Sequence, residues 1–350
     1  MSVSFRAVFA IPGDITTLTG GYIYERSLLE GLRHLGREVR HLQAGASFPN
    51  PHPYDIADAA RQLAACEPGD PVMLDGFLVG EMPTASLARV TAPMVAIVHH
   101  PLALESGLDD TRRDYLYRTE RANLRLMRHV IVPSPHTAMI LTESYDVTSD
   151  RITVARPGTL VPRGPSVPVT PPLLLSVGIQ HPRKGHDVLL AALSLLQHLE
   201  WQAVIVGSPY DSSHVADLSH LHATLGLSDR VRLAGRVDAD ELSRLYRSAS
   251  VFALATRYEG YGIVFDEALA HGLPIVSCAV GAVPDTVPHD AGMLVAPDNP
   301  AAFAAALDAL LTDDSHRRSL ATAATRVGAN LPRWSDTAGL VAQVLDHVQR

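Results

Sequence analysis

Two acids eight residues apart, Glu259 and Glu267, lie in the stretch of the chain richest in chemistry, TRYEGYGIVFDEALAHGLPIVSCAVGAVPD from Thr256 to Asp285. Gly260 follows the first acid directly, Tyr261 and Gly262 come next, and a helical pattern begins at about Gly262. A strand end, a glycine turn and a helix start together present free backbone N–H groups and a positive dipole end, which suit a phosphate or a sugar hydroxyl. Carboxylates beside them can accept hydrogen bonds from the hydroxyls of a sugar or ribose. Taken alone, the same spacing also describes an ordinary turn with Glu267 on a solvated face. Upstream, Arg183 and Lys184 stand at a strand-to-helix junction shortly after Ser176-Val177-Gly178. Two adjacent cations there match a diphosphate, and arginine adds bidentate geometry. Without neighbours, the pair would read as a helix cap.

Two further places carry candidate groups. Gly20-Gly21 precedes the helical pattern YIYERSLLEGL and allows a backbone to approach a phosphate closely, although an ordinary loop has the same form. His99 and His100 end the apolar run MVAIVHH, at the carboxyl end of a strand where doubly wound sheets bind ligands. The register leaves both open, with His100 preferred. Glu105, a little downstream, is a candidate for acceptor hydroxyls.

The elements that must position these groups alternate between short apolar runs and helical patterns, as in an α/β doubly wound sheet. In the first half the strand-like runs are FRAVFAI, EVRHL, PVMLDG, MVAIVHH and HVIVPS; in the second they are LLLSVG, WQAVIVG, VRLAG, VFALA, PIVSC and GMLVA. Five prolines between Pro162 and Pro172 cannot sit inside helices or central strands. The expected organisation is a Rossmann-like domain over 1–160, a proline-rich linker over 161–172 and a second Rossmann-like domain over 173–332. A helix over about 333–350 is expected to pack back on the first domain. Two such halves are expected to face a central cleft.

Composition narrows the function classes. A chain of 350 residues with 47% hydrophobic residues can bury two cores. Its net charge of −8 argues against a nucleic-acid partner, which would call for a basic face. Only two cysteines occur, Cys66 and Cys278, so neither a disulfide framework nor a thiolate metal site is expected. The start MSVSFRAVFAIPGD lacks a signal-peptide pattern, and a cytoplasmic protein is expected. Arg118, Arg121, Arg125 and Arg128 form a stripe that allows at most peripheral membrane contact; a solvated face is preferred. No Asp-x-Asp pair stands beside a small-residue strand, so no metal is expected on a diphosphate. No Gly-x-Gly-x-x-Gly follows the first strand, which weighs against a dehydrogenase.

The run Glu259-Gly260-Tyr261-Gly262, then Glu267-Ala268-Leu269-Ala270-His271-Gly272-Leu273-Pro274-Ile275-Val276, closely resembles the signature of the retaining nucleotide-sugar glycosyltransferases of family 4, which have the GT-B architecture. Ser176-Val177-Gly178 with Pro182-Arg183-Lys184-Gly185 resembles the family's diphosphate loop, and Ser134 matches its Pro-Ser after the fifth strand. Where many members carry arginine after the strand glycine, this chain has Ile179, and Arg183 is expected to take that role. Asp285 stands in place of a glutamate, and Ala282 in place of a glycine.

The resemblance implies transfer of a hexose from a UDP- or GDP-linked donor by metal-independent front-face displacement, in which the leaving phosphate accepts the acceptor's proton. It implies that Arg183 and Lys184 hold the diphosphate, Glu259 the sugar and Glu267 the ribose, with Arg236 and Val237 near the base. It further implies that one of His99 and His100 faces the transferred sugar. The acceptor, whether small molecule, glycan or lipid-linked, is not legible. A phosphorylase or hydrolase of this architecture, or a non-catalytic nucleotide-sugar binder, stays open.

Overall fold

The computed structural model describes residues 6–162 and 164–349; the first five residues, Arg163 of the proline-rich segment and Arg350 lie outside them. The chain divides into two compact units, one holding the residues up to Gly158 together with those from Pro332, the other Thr159–Leu331. Each unit is built on one six-stranded sheet.

In the first unit the strands are β1 (Arg6–Pro12), β2 (Glu38–Ala44), β3 (Val72–Asp75), β4 (Met94–Ile97), β5 (His129–Val132) and β6 (Ile152–Val154). Their order across the sheet is β2-β1-β3-β4-β5-β6, with every pairing parallel. The second unit holds β7 (Leu173–Val177), β8 (Gln202–Val206), β9 (Val231–Gly235), β10 (Val251–Leu254), β11 (Ile275–Cys278) and β12 (Gly292–Val295). Here the order is β12-β11-β10-β7-β8-β9, again all parallel.

A helix lies in every link between successive strands of a sheet, because parallel neighbours need a crossover. The strands alternate side chains between two apolar layers. Val8, Ala10, Val72 and Leu74 enter one core of the first unit, while Ala7, Phe9, Ile11 and Met73 enter the other. In the second unit Leu174, Ala203 and Ala253 face one core and Leu173, Leu175 and Phe252 the opposite one. Burial on both faces is what near-continuous apolar strands require.

Eleven of these strands coincide with the runs expected from sequence; β6, three residues long, was not foreseen. The expected linker also differs. Val167 and Val169 donate backbone hydrogen bonds to the carbonyls of Arg247 and Ser248, at 2.7 and 3.1 Å, so that segment is tied to the second unit. The helix Trp334–Gln349 returns to the first unit, burying Ala338, Val341 and Leu345 with Leu28 and Leu32 of the helix Gly20–His34. Arg37 grips Asp346 through two hydrogen bonds of 2.6 and 2.7 Å. Among the described residues, no helix is long and apolar enough to cross a membrane.

Leu345 is fully buried at that contact. Leu345→Ala is expected to lower stability by about 2–5 kcal/mol through lost burial and a cavity, measured by denaturant unfolding. An unchanged unfolding midpoint would mean that the last helix contributes little to the first unit.

Candidate active site

In the second sheet, the strand order reverses between β7 and β10, which are hydrogen-bonded neighbours. Ligands of open α/β sheets gather at the carboxyl ends of such strands. Both motifs read from the sequence emerge there. After β7 the chain passes Gly178 and makes a single 3-10 turn over Pro182–Lys184; His181 Nδ1 accepts the Arg183 N–H at 3.0 Å. Gly185 follows with φ 63° and begins the helix His186–Ser194. A side chain there would strike the Ala255 carbonyl at 1.9 Å, so the turn carrying the cations can close against the end of β10 only with glycine.

The loop after β10 brings Glu259 to meet them. Lys184 Nζ donates to Glu259 Oε1 at 2.6 Å, and Arg183 Nη1 lies 3.6 Å from Oε2. Thr256 Oγ1 also donates to Oε1, at 3.0 Å. Glu259 is only 5% exposed, and burial by itself would push its carboxyl up; Lys184 and Arg183 overcome this and hold it below the usual range. Arg183 is fixed in turn by its Nη1 hydrogen bond to the Tyr258 carbonyl, at 2.9 Å. Behind the turn, Arg257 forks onto both oxygens of Asp187, at 3.0 and 2.7 Å, and also reaches Asp298. Gly281 lets the loop after β11 lie on the Glu259 backbone, since an added Cβ would meet the Glu259 carbonyl at 2.3 Å. His186, fully buried, donates from Nε2 to the Gly178 carbonyl at 3.2 Å; burial pushes it down to about 4, so it stays neutral.

The remaining residues of the motif divide by role. Gly262, at φ 89°, opens the helix Ile263–Ala270. Tyr261 is buried, with its hydroxyl on Asp266, so of this residue it is the backbone that remains for the donor contact expected of it. Glu267 accepts the Tyr246 hydroxyl at 2.8 Å through one oxygen, and burial raises its carboxyl despite that bond. Arg236 is exposed and Val237 half-buried, just beyond β9.

In the first sheet, the order reverses between β1 and β3. Gly20 and Gly21 begin the helix that follows β1. His99, not the preferred His100, packs there: its ring sits where a Cβ on Gly21 would touch it at 3.4 Å, and it meets Tyr24 edge-on with centroids 5.2 Å apart. His100 instead pairs with Glu105, Nε2 to Oε2 3.0 Å. The turn between them is held by Glu120, fully buried, which accepts the Leu102 N–H at 3.1 Å. Ser134 caps its helix by accepting the Thr137 N–H at 3.1 Å. In the arginine stripe, Arg118 pairs with Asp114, Arg121 and Arg125 both reach Asp146, and Arg128 bonds the Val348 carbonyl.

Comparison with known proteins joins these observations. Residues 162–327 match the family described as glycosyl transferases group 1. A D-inositol 3-phosphate glycosyltransferase of Frankia alni is 31% identical over 346 residues, covering 89% of this chain and 84% of that protein. The chain belongs to the group 1 glycosyltransferases. A namesake of that relative from Xylanimonas cellulosilytica is 34% identical over 222 residues, covering 58% of this chain and 53% of its own length. Two solved structures share the fold of this glycosyltransferase. Sucrose-phosphate synthase of Thermosynechococcus elongatus has a TM-score of 0.81 at 21% identity, over 98% of this chain and 99% of that one. Anabaena HepE, in complex with UDP and glucose, has a TM-score of 0.77 at 15% identity, over 98% and 100%. Both sheets of the glycosyltransferase therefore have the GT-B fold expected from its motif.

Thr256, Arg257, Asp187 and His186 went unnoticed in the sequence, although all four shape the turn around Glu259. Only adjacency to the motif pointed to Thr256 and Arg257; Asp187 and His186 carry no pattern of their own.

Removing one partner of a buried ion pair strands the other. Lys184→Met and Glu259→Gln are each expected to cost about 3 kcal/mol, whereas the double variant recovers most of that loss, in a double-mutant cycle of unfolding free energies. Because the folded carboxyl of Glu259 titrates below its unfolded value, its contribution is present at neutral pH and is lost as pH falls through the folded value. The penalty of Glu259→Gln should therefore shrink in acid. Simple additivity of the two variants would mean that the pair is not coupled.

Proposed function

We propose that this glycosyltransferase moves a hexose from a UDP- or GDP-linked donor to its acceptor with retention of configuration and without a metal ion. The observation that carries the proposal is the convergence of Arg183 and Lys184 on Glu259 where the second sheet reverses its order. A nucleoside diphosphate leaves readily once its developing charge is met by fixed cations, and both cations are anchored before any ligand arrives. Glu259, kept ionised by them, would accept hydrogen bonds from sugar hydroxyls. Glu267 keeps one carboxyl oxygen beyond the Tyr246 bond, suited to the ribose hydroxyls. Arg236 and Val237, past the end of β9, would border the base. The N–H groups that open the helix at Gly262 would face the donor's oxygens.

In the displacement, the bond from the anomeric carbon to the donor's phosphate oxygen breaks as the acceptor oxygen bonds to the same face. The acceptor's proton passes to the leaving phosphate, so no separate base is needed. The first unit would bind the acceptor, with His99 at the glycine pair. The relatives named as acting on D-inositol 3-phosphate support a small polyol phosphate as the first acceptor to try.

The test is a thermal-shift and turnover screen against UDP- and GDP-hexoses with EDTA present, with D-inositol 3-phosphate leading the acceptor panel. One nucleotide class should stabilise the enzyme, EDTA should leave turnover intact, and the product's anomeric configuration by NMR should match the donor's. Lys184→Met and the Lys184→Met/Glu259→Gln double variant should each lose about 100-fold in kcat/KM. Loss of turnover in EDTA, or an inverted product, would overturn the mechanism. Nucleotide binding without turnover on any acceptor would favour a non-catalytic binder.

A further inference from the structure

The first unit holds a cluster that the motifs do not mention. Glu25 sits on the helix after β1, Asp75 ends β3 and His99 follows β4, and the order β1-β3-β4 makes them neighbours. One side-chain atom of each lies within 4.8 Å of the other two. Glu25 is 1% and Asp75 4% exposed. Asp75 Oδ1 caps the helix Gly76–Glu81 by accepting the Phe77 N–H at 2.7 Å, and its carboxyl is also in hydrogen-bonding contact with that of Glu25. Glu25 Oε1 and His99 Nε2 are both buried without a hydrogen-bond partner and face each other at 3.8 Å.

Two carboxylates in contact away from water cannot both ionise unless a cation compensates them. The titratable groups acting on them are each other and, for Asp75, His99; Tyr22 and Tyr24 on the same helix and Asp14 in the loop after β1 bring no positive charge. Burial pushes both carboxyls up; the Glu25 carboxylate pushes Asp75 up further, while the Asp75 contact only partly offsets the rise of Glu25. Burial pushes His99 down despite the pull of Asp75. A single hydrogen between the two acids therefore leaves one negative charge beside a neutral imidazole. A carboxylate facing Nε2 favours the tautomer that carries its hydrogen there. The side chain of His99 is 23% exposed although Nε2 is buried, so its open part lies away from the acids.

We propose that Glu25 and Asp75 are positioning residues that share one proton, and that the charge left on the pair holds His99 as the neutral Nε2-protonated tautomer with the far edge of its ring presented to the ligand. The protonation pattern follows from the cluster itself. That the ligand is the transferred sugar or its acceptor rests on the proposed function.

The test is NMR of the full chain with 15N- and 13C-labelled histidine from pH 5 to pH 9, with His99→Gln assigning the signal. His99 should remain the Nε2-protonated tautomer across neutral pH. In Glu25→Gln the fraction protonated at Nδ1 should rise at least about fivefold, because the charge facing Nε2 is gone. A second readout serves if that variant folds poorly. Since both carboxyls titrate above their unfolded values, the folded chain keeps protons that the unfolded chain releases, and the stability they lend is lost as pH rises through the folded values. Asp75→Asn should flatten that fall in unfolding midpoint. An unchanged tautomer in a folded Glu25→Gln protein would overturn the proposal. So would one equivalent of a divalent metal in the purified chain that Glu25→Gln removes, which would put a cation where the proton is placed. Neither readout uses a nucleotide sugar, so failure here leaves the donor site untouched.

Discussion

A carboxylate buried as deeply as Glu259 stays ionised only if cations are held against it, and that requirement organises the second unit. Lys184 and Arg183 supply the charge, but neither can be flexible and still do so. The 3-10 turn that carries them is therefore closed by Gly185 against the end of β10, and bound from behind by Arg257 to Asp187. Gly281 seals the other side of the Glu259 backbone. The ion pair is a weak source of stability in itself, since two charges lost their water to form it. What it gives is a preorganised patch of charge at the carboxyl ends of β7 and β10.

The first unit meets the same topological position with the opposite chemistry. Where β1 and β3 part, two acids and a histidine converge with no cation among them. Desolvation then favours neutral forms rather than ionised ones, and a shared proton does the work that Lys184 and Arg183 do in the second unit. Both arrangements follow from one property of parallel sheets: the carboxyl ends of strands on either side of an order reversal open a gap that side chains from separate segments can fill. One unit fills it with charge suited to a diphosphate, the other with hydrogen-bonding groups suited to hydroxyls.

Much of this was legible in the sequence. Apolar runs alternating with helical patterns marked eleven of the twelve strands, because the central strands are buried on both faces and are mostly apolar, while edge strands such as β2 still alternate buried and exposed residues. The exception, β6, is three half-buried residues at the sheet edge and has too little surface to bury for a pattern to emerge. The proline-rich segment was visible as a break in regular structure, yet its backbone bonds to Arg247 and Ser248 were not, since backbone pairing leaves no residue-type signature. Tyr261 looked like part of the ligand loop because of its neighbours, whereas its hydroxyl finds Asp266 inside.

By itself the sequence determined the fold class, the family, the acidic motif around Glu259 and, separately, the cation pair Arg183-Lys184, because each depends on residues close together in the chain or on the period of a strand. That the two motifs meet was decided by the pairing of β7 with β10. Tertiary structure alone decided which histidine meets the glycine pair: Tyr24 and Gly21 enclose the ring of His99, and Glu105 takes His100. It likewise brought Glu25, Asp75 and His99 together from three segments that only the sheet order makes neighbours. Side-chain direction at a strand end and proximity across a sheet are set by packing, and packing is a property of the whole unit rather than of any window of residues.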